Sequence, residues 1–190
     1  MLRHLMTAIR YTVITTVIFG LIYPLVVTGL AQALFHDKAN GQLLYRNGEL
    51  IGSRIIGQPF SGAKYFHSRP SAAGTGYDAS NSGGSNYAPT NKKLIDRVAG
   101  DVATLETDHP GQDVPIDLVT ASGSGLDPDI TPAGAEFQVS RVAAARNLPE
   151  DTVRKLVAAH IQGRQLGFLG EPRVNVLLLN LDLDRLSEGR

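Results

Sequence analysis

Histidine, cysteine and charged residues determine most of the metal and catalytic chemistry that a sequence can support. This 190-residue chain has no Cys, which excludes thiolate metal sites and Cys nucleophiles. Its closest histidines, His36 and His67, are 31 positions apart, so no H-x3-H or HExxH metal pair is present. The 18 Lys and Arg residues balance 18 Asp and Glu residues, and zero formal charge disfavours nucleic-acid binding. We therefore predict neither a metal site nor a catalytic residue.

One segment has the composition of an anion-binding loop, namely Ser122, Gly123, Ser124 and Gly125. Glycines let the backbone bend so that several N–H groups point at one phosphate oxygen. The segment matches none of the G-x-x-x-x-G-K-[ST], G-x-G-x-x-G and G-x-S-x-G motifs. A nucleotide-phosphate site and a structural turn remain as alternatives, and the missing motifs favour the turn.

Two acidic residues follow this loop. Asp127 and Asp129 precede Thr131 and Pro132, which are typical N-cap and first-turn residues of a helix. Since a helix N-terminus favours negative charge, we expect the carboxylate pair to cap this helix rather than to transfer protons.

Three further polar residues are interpreted as structural. His67 and Arg69 could bind a ligand carboxylate, but hydrogen bonding within their own loop is the favoured alternative. His160 lies on the apolar face of a predicted helix, so we expect a hydrogen-bonded core residue rather than a ligand.

The elements that must position these groups begin with a long apolar stretch, Tyr11 to Phe35, which contains 25 residues and no charge. An α-helix of that length, at about 1.5 Å per residue, exceeds a hydrocarbon core of about 30 Å. A cleaved signal peptide is the alternative, and Ala31-Gln32-Ala33 resembles a cleavage site. The apolar part of a signal peptide is usually only about 7 to 15 residues, so we predict a retained transmembrane helix over 11–35.

The charges beside this helix predict its orientation. Arg3 and Arg10 precede it, whereas His36, Asp37 and Lys38 follow it. Because positive residues stay on the cytoplasmic side, we predict a cytoplasmic tail (1–10) and an extracytoplasmic domain (36–190).

Small residues recur along the predicted span at a spacing of four. They are Thr12, Thr16, Gly20, Pro24 and Thr28. Such a stripe allows close approach of another helix, so we predict a packing face for a membrane partner. Pro24 lacks an N–H group and crowds the carbonyl of Gly20, so a kink is also expected.

Residues 36–190 are predicted to form a single mixed α/β (α+β) domain with a small sheet and about three helices. Asn47-Gly48 predicts a two-residue hairpin turn. Residues 71–91 have the Gly/Ser/Asn-rich composition of a flexible linker, and the presence of Tyr77 and Tyr87 weakens that interpretation. The predicted elements are strands at 43–46 and 49–53, a helix over 94–105 capped by Thr90 or Asn91, a strand at 115–120, a helix from 132 to about 147, a helix from Pro149 with Gly167 as its stop, and a strand at 174–184.

Several motifs together resemble the KdpC family, the C subunit of the high-affinity potassium-transporting P-type ATPase. They occur in the same order over nearly the whole chain. The motifs are Tyr23-Pro24-Leu25 with Thr28-Gly29, Gly52-Ser53 with Ile56-Gly57-Gln58, Tyr65-Phe66-His67 with Arg69-Pro70-Ser71-Ala72, Gly84-Ser85-Asn86, Asp117 to Asp127, Arg141-Val142-Ala143 with Ala145-Arg146, and Gly170 to Val176 with Leu179-Asn180-Leu181. Asp78 and Asp129 depart from the family pattern, which affects only local polar contacts.

The resemblance implies a non-catalytic accessory subunit in the bacterial inner membrane. Its partners would be a potassium-channel-like subunit and an ATP-hydrolysing P-type subunit, and its role would be assembly and promotion of ATP use, as a catalytic chaperone. The family description includes a shared nucleotide site. If ATP is contacted, the resemblance places the contact on Ser122, Gly123, Ser124, Gly125 and Gln138.

The predicted topology conflicts with direct ATP contact, because it places the 122–125 loop outside while ATP is cytoplasmic. We therefore favour an indirect role, in which the helix docks beside the pump's membrane helices and the outer domain covers the channel subunit's entrance. An inert assembly clamp is one alternative. A membrane-tethered periplasmic solute-binding or hydrolytic module is another, and it would require a deep pocket with converging titratable groups.

Overall fold

A computed structural model of the chain describes residues 1–188, so the last two residues of the predicted 36–190 domain lie outside the described residues. The chain divides into two compact units, Met1–Ile51 and Gly52–Arg190. The first contains one long apolar helix, and the second combines short strands with several helices. This arrangement confirms the predicted fold class of an N-terminal apolar helix followed by an α+β domain.

The apolar helix is continuous and extends beyond the predicted span at its N-terminal end. It comprises α1 (Leu2–Thr15), a π-helical segment (Thr16–Ile22) and α2 (Tyr23–Leu34), followed by a short α3 (His36–Ala39). Its 33 residues are long and apolar enough to cross a membrane, and the most apolar part buries no side chain within the chain. This exposure fits a single-pass membrane protein, because an apolar surface of this length needs lipid or protein to cover it.

Pro24 explains the π-helical segment that lies just before it. Proline has no N–H group, and its ring would meet the carbonyl of Gly20 in a regular α-helix. The N–H of Tyr23 instead donates to the carbonyl of Ile18, five residues earlier. A widened turn of this kind makes room for the ring, so the expected local disruption takes the form of a change in helix type.

The predicted hairpin is confirmed with its predicted bounds, β1 (Leu43–Arg46) and β2 (Glu49–Ser53). Asn47 and Gly48 connect the strands with φ of 53° and 84°. A type I′ turn needs positive φ at both central positions, which is why Asn-Gly identified this turn from sequence.

The second unit contains five α-helices and a three-stranded antiparallel sheet among its described residues. In chain order these elements are α4 (Lys92–Asp108), a 3-10 turn (Ile116–Leu118), β3 (Asp129–Ile130), α5 (Pro132–Phe137), α6 (Val139–Arg146), α7 (Glu150–His160), β4 (Ile161–Gln162), β5 (Arg173–Asn175) and α8 (Val176–Glu188). The strand order is β3-β5-β4, with Ile130 opposite Val174 and Val174 opposite Ile161.

Helix termini were predicted well where a residue has a local capping function. The Asn91 side chain accepts a hydrogen bond from the N–H of Lys93 at 2.9 Å, which confirms one of the two proposed caps of α4. Thr131 accepts from the N–H of Gly134 at 2.9 Å, and Pro132 is the first residue of α5. Asn147 ends α6 in the left-handed conformation, with φ of 54°.

Three predictions of regular structure were wrong. Residues 115–120 form no strand and contain a 3-10 turn at Ile116–Leu118, in which the Asp117 carboxylate accepts a hydrogen bond from the N–H of Thr131 at the start of α5. The helix after Pro149 ends at His160, since residues 161–162 join the sheet, and Gly167 lies in a later turn. The predicted strand 174–184 is mostly helix α8.

The Leu-rich sequence of α8 is compatible with two periods. Alternating leucines predicted a strand, but the buried positions repeat at intervals of three and four, as in a helix. They are Val176, Leu179, Asn180 and Leu183, each at most 1% exposed. The predicted helix 132–147 is also split in two at Gln138, and the described part of the predicted 36–190 domain contains six α-helices, α3 to α8, instead of about three.

The core of the second unit lies where α6, α7 and α8 cover the sheet. Its fully buried members come from all of these elements and from the irregular chain before α4. They include Phe66, Val142, Val153, Val174, Leu179 and Leu183, each at 0% exposure. Phe66 is the aromatic residue that anchors irregular chain in this core.

Residues 63–67 enter the core only at Phe66 and have no strand partner, and side chains replace the missing partner. All five consecutive carbonyls accept hydrogen bonds from Arg141, Arg146, Gln138 or Asn180. The pairs, given as carbonyl and donor, are Ala63 with Arg141 at 2.7 Å, Lys64 with Arg146 at 2.6 Å, Tyr65 with Arg141 at 3.1 Å, Phe66 with Asn180 at 2.9 Å, and His67 with Gln138 at 3.1 Å.

Two buried carboxamides each bond both backbone groups of one residue. Asn180 of α8 also accepts from the N–H of Phe66 at 2.9 Å, and Gln138 accepts from the N–H of His67 at 2.7 Å. These side chains are 1% and 3% exposed. Since a buried backbone group without a partner is costly, Asn180 and Gln138 fix the path of the 63–67 segment.

We predict that Asn180→Leu lowers the free energy of unfolding by about 3 kcal/mol, because a similar side-chain volume leaves both backbone groups of Phe66 without partners. Thermal and denaturant unfolding of the full chain in detergent will measure this loss. The control is Asn147→Gly at an exposed helix end, which should stay within about 0.5 kcal/mol of the parent. Equal stabilities of Asn180→Leu and the parent would contradict this account of the 63–67 segment.

Candidate functional site

The residues that follow the 63–67 segment reach the predicted anion-binding loop. Arg69 donates to the carbonyl of Thr120 at 3.2 Å and to the carboxylate of Asp127 at 3.0 Å. The Ser71 hydroxyl donates to the carbonyl of Gly125 at 2.5 Å. Arg69 is therefore a hydrogen-bonding residue as expected, but its side chain bonds a different loop, 120–127, and not its own.

His67, in contrast to Arg69, is bonded within its own loop, as expected. Its Nε2 lies 3.0 Å from the carbonyl of Gly62. Burial is the main cause that lowers the pKa of His67, and the nearby charge of Arg141 lowers it further. The imidazole is therefore neutral at pH 7 and can donate only one N–H, which the Gly62 carbonyl receives.

A third segment, 82–84, packs against the same loop. The N–H of Gly83 and the hydroxyl of Ser82 both donate to the carbonyl of Ser124 at 2.9 Å. Gly125 has φ of 66°, and a Cβ there would lie 2.6 Å from the Gly83 carbonyl oxygen. Glycine is thus required at position 125 for the two loops to approach each other.

We call residues 69–73, 82–84 and 120–127 the three-loop cluster. Tyr77 adds to it, because its hydroxyl donates to the carbonyl of Arg69 and its N–H donates to Ser71 at 2.8 Å. Burial raises the pKa of Tyr77, which keeps the hydroxyl protonated as a donor. These contacts fix the Gly/Ser/Asn-rich segment around Tyr77, in contrast to its linker-like composition.

The hydroxyls of the predicted anion-binding loop bond to its own backbone. The N–H of Gly125 donates to Ser122 Oγ at 2.9 Å, and the N–H of Leu126 donates to Ser124 Oγ at 3.1 Å. These contacts have the geometry of a serine-stabilised turn. Nucleotide contact by Ser122, Gly123, Ser124 and Gly125 stays a prediction.

Gln138, the fifth residue of the nucleotide prediction, lies in a different environment. Its carboxamide bonds the N–H and carbonyl of His67, the carbonyl of Gly134 at 3.1 Å and a guanidinium nitrogen of Arg141 at 2.8 Å. The cavity that Gln138 lines includes no residue of 122–125. The fold therefore uses this side chain to hold the backbone and does not place it in a common pocket with the loop.

The predicted capping role of Asp127 and Asp129 is wrong. Asp127 pairs with Arg69, whereas Asp129 pairs with Arg173 at 3.0 Å and accepts from Asn175 at 3.1 Å. Arginines that are distant in sequence compete better for these carboxylates than the helix terminus does.

The carboxylate at the start of α5 belongs to Asp117, which the sequence analysis missed. Its Oδ2 accepts from the N–H of Thr131 at 2.7 Å, and its Oδ1 accepts from the Thr131 hydroxyl at 3.0 Å. Asp117 is 5% exposed, so these bonds are shielded from water. An Asp within an apolar run was the available signal, since a buried carboxylate requires partners.

His160 is hydrogen-bonded as predicted, but it is half-buried at the edge of the domain and is not a member of the core. Its Nδ1 lies 2.9 Å from the Leu156 carbonyl, and its Nε2 lies 3.0 Å from the Asp182 carboxylate. Among residues 1–188, His, Asp and Glu form no group of three or more that could hold a metal ion.

The π-helical segment changes the geometry of the small-residue stripe in the apolar helix. In a regular α-helix, the sixteen steps from Thr12 to Thr28 would rotate the stripe by about 160°. A π-helical turn contains about one additional residue, which reduces this rotation to about 60°. Thr12, Thr16, Gly20, Pro24 and Thr28 therefore lie along one side. A Cβ at Gly20 would meet only the Thr16 methyl at 3.7 Å, so this glycine is not required by the helix itself.

These features define a class of protein, a single-pass membrane protein with a small α+β domain. The family model for KdpC, described as K+-transporting ATPase, c chain, matches residues 5–185. The chain therefore belongs to the KdpC family, in agreement with the resemblance of its motifs and with an accessory subunit of a potassium uptake pump.

Curated relatives named potassium-transporting ATPase KdpC subunit support this assignment. The relative from Koribacter versatilis is 64% identical over 184 residues, which cover 97% of this chain and 95% of the relative. The relative from Acidobacterium capsulatum is 60% identical and covers 97% of this chain and 100% of its own length. The relative from Caulobacter vibrioides is 55% identical, with coverage of 97% and 94%.

The environment of Asp129 leads to a pH-dependent prediction. Burial raises the pKa of Asp129 and outweighs the lowering effects of Asn175 and Arg173. The ionised form is thus disfavoured on folding, and its unfavourable effect appears as pH rises through the native pKa. We expect Asp129→Asn, which can still accept from Asn175, to raise the melting temperature at pH 7. The gain should disappear toward pH 4 in thermal scans.

Asp78→Asn is a control of opposite sign. Hydrogen bonds from the Ser80 hydroxyl and N–H lower the pKa of Asp78. That carboxylate stabilises the fold above its unfolded pKa and loses the effect as pH falls. Asp78→Asn should therefore lower the melting temperature at pH 7 and have no effect at low pH. The same pH trend for both variants would contradict the assigned environments.

Proposed function

We propose that this chain is a non-catalytic subunit of a potassium pump, and that its apolar helix docks beside the membrane helices of the other subunits. The relatives' names place them in a potassium-transporting ATPase. The proposed partners are a potassium-channel-like subunit and an ATP-hydrolysing P-type subunit. The observation that carries the docking proposal is an uncovered helix of 33 residues with its small residues on one side.

A non-catalytic role is supported by the residues beside the span. A P-type subunit carries its phosphorylated Asp in DKTG, whereas Asp37-Lys38 is followed here by Ala39-Asn40. Asp37 and Lys38 lie in α3, directly after the apolar helix. No aspartyl phosphate of that type is available to this chain, so any effect on ATP hydrolysis is exerted on another subunit.

The proposed location is the bacterial inner membrane, with the N-terminus in the cytoplasm and the second unit outside. The support is Arg3 and Arg10 at the start of the helix, against Lys38 at its other end. With that topology, the three-loop cluster and cytoplasmic ATP lie on opposite sides of the membrane. Direct binding of ATP as a cofactor would require the reverse orientation.

The proposed effect on ATP use is therefore conformational. A subunit can change the apparent ATP affinity of its partner only if its contacts differ between the partner's two states. The outer domain, held rigid by its buried hydrogen bonds, is suited to covering the channel subunit's entrance in one state more closely than in the other. This proposal accounts for assembly and ATP use through one set of contacts.

We expect Gly20→Leu to reduce recovery of the other subunits about tenfold when the complex is purified through this chain, because the added side chain separates the docked helices. The apparent KM for ATP of the residual complex should rise. Quantitative gel analysis and ATPase assays on the same preparations measure both effects.

Gly29→Leu is the matched control for Gly20→Leu. A Cβ at Gly29 meets nothing within 4 Å, and position 29 lies about 100° round the helix from Thr28. This variant should be recovered with its partners like the parent. Equal recovery for both variants would remove the packing face from the proposal.

The topology can be tested directly because the chain has no Cys. Lys93→Cys, on the exposed surface of α4, should react with a membrane-impermeant maleimide in intact spheroplasts. Leu2→Cys, in the predicted cytoplasmic tail, should react only after the membrane is permeabilised. The reverse pattern would place the second unit in the cytoplasm and restore direct ATP contact.

A further inference from the structure

A cavity of about 430 Å³ lies within the second unit, between α4, the α5–α6 junction and residues 59–70. Its volume is within the range of about 300–1,000 Å³ found for small-molecule sites. We propose that this cavity binds a small monocarboxylate with an apolar body, and that His109 is the residue that recognises the carboxylate. The proposal is independent of helix docking and of the role in the pump.

His109 is the residue that distinguishes this cavity from a packing defect. The residue is only 6% exposed, and its ring packs on Phe137 with centroids 4.2 Å apart. Among the described residues, neither imidazole nitrogen has a hydrogen-bond partner. No fully enclosed side-chain nitrogen or oxygen lacks a partner in the described chain, so the imidazole nitrogens are not completely shielded from solvent, and His109 is one of the residues that line the cavity. A buried imidazole of this kind favours a ligand that supplies the missing partner.

The other polar groups of the lining are already bonded within the protein. The Tyr77 hydroxyl donates to Arg69, and the Thr104 hydroxyl donates to the carbonyl of Gly100 at 2.9 Å. The carboxamide of Gln138 holds the backbone of His67. Recognition of a ligand therefore depends on the imidazole of His109 more than on any of these groups.

The remaining lining defines the chemical class of the ligand. Arg69 and Arg141 line the cavity and no Asp or Glu does, but the Arg69 guanidinium is paired with Asp127 at 3.0 Å, so the positive charge that favours an anion comes from Arg141. Most of the other walls are apolar, formed by Pro59, Phe60, Leu105, Leu118 and Phe137. An imidazole N–H donates well to a carboxylate, and the apolar walls suit a ring or a chain of about six carbons.

The test uses the full chain in dodecyl maltoside micelles with isotopically labelled histidine side chains. Benzoate and hexanoate are the probes, and benzamide and hexanamide are their neutral counterparts. We expect a saturable shift of the His109 ring signals with the carboxylates, and at least about tenfold weaker binding of the amides. Absence of a saturable His109 shift with both carboxylates, or equal affinity for the amides, would overturn the proposal.

A pair of His→Phe variants then assigns the site. His109→Phe keeps an aromatic ring on Phe137 and removes the donor, so calorimetry should show at least about tenfold weaker binding of benzoate. His36→Phe makes the same exchange in the first unit and should bind benzoate like the parent. Unchanged affinity of His109→Phe for benzoate would also overturn the proposal. If that variant does not fold, the titration of the His109 ring signals in the parent chain still tests the proposal.

Discussion

The second unit depends on the hydrogen bonding of one irregular segment, residues 63–67. Five consecutive carbonyls lead into the core at Phe66 without a strand partner, and α6, α8 and the junction at Gln138 supply their donors. Because buried backbone groups must be satisfied, this segment has one path through the core. That path brings Arg69 and Ser71 to the loop at 120–127, so the three-loop cluster is a consequence of the buried hydrogen bonds. The motifs that resemble the KdpC family include several of the donors and acceptors, such as Arg141, Arg146 and Asn180, which gives that resemblance a physical basis.

Local chemistry was predictable from sequence, and long-range choices were not. Asn47-Gly48, Asn91 and Thr131 were identified correctly because a turn or cap depends on one or two residues and their immediate backbone. The 174–184 segment was assigned to a strand because alternating leucines fit both periods, and only burial against α7 and the sheet decides for the helix. The bonds of Asn180 to Phe66 join residues 114 positions apart, and no spacing rule indicates such a pair.

The apolar helix shows how one proline can affect a whole surface. The π-helical turn before Pro24 was expected only as a kink, yet its main consequence is rotational. The π-helical turn contains about one additional residue. The added residue reduces the rotation of the threonines and Gly20 about the helix axis. The same sequence thus relieves the proline clash and keeps the small residues within about 60° of rotation round the helix. Such a face suits close helix contact in lipid, where packing and hydrogen bonds replace the hydrophobic effect as the source of association energy.

Gln138 and His109 illustrate why polar side chains need their partners before a role can be assigned. The family resemblance places a nucleotide contact on Gln138 if ATP is bound, and that contact stays a prediction; in the fold, four internal hydrogen bonds of its carboxamide hold the 63–67 segment. His109 attracted no attention, because an isolated histidine beyond the end of a helix matches no motif. In the structure it is buried beside Phe137, with ring nitrogens that no described residue bonds. A satisfied polar group explains the fold around it, whereas a mostly buried imidazole beside a cavity, with nitrogens that the described chain does not bond, leaves a donor for a ligand. By that criterion, the chemical interest of this domain lies in the cavity beside His109 rather than in the loop at 122–125, whose hydroxyls already bond its own backbone.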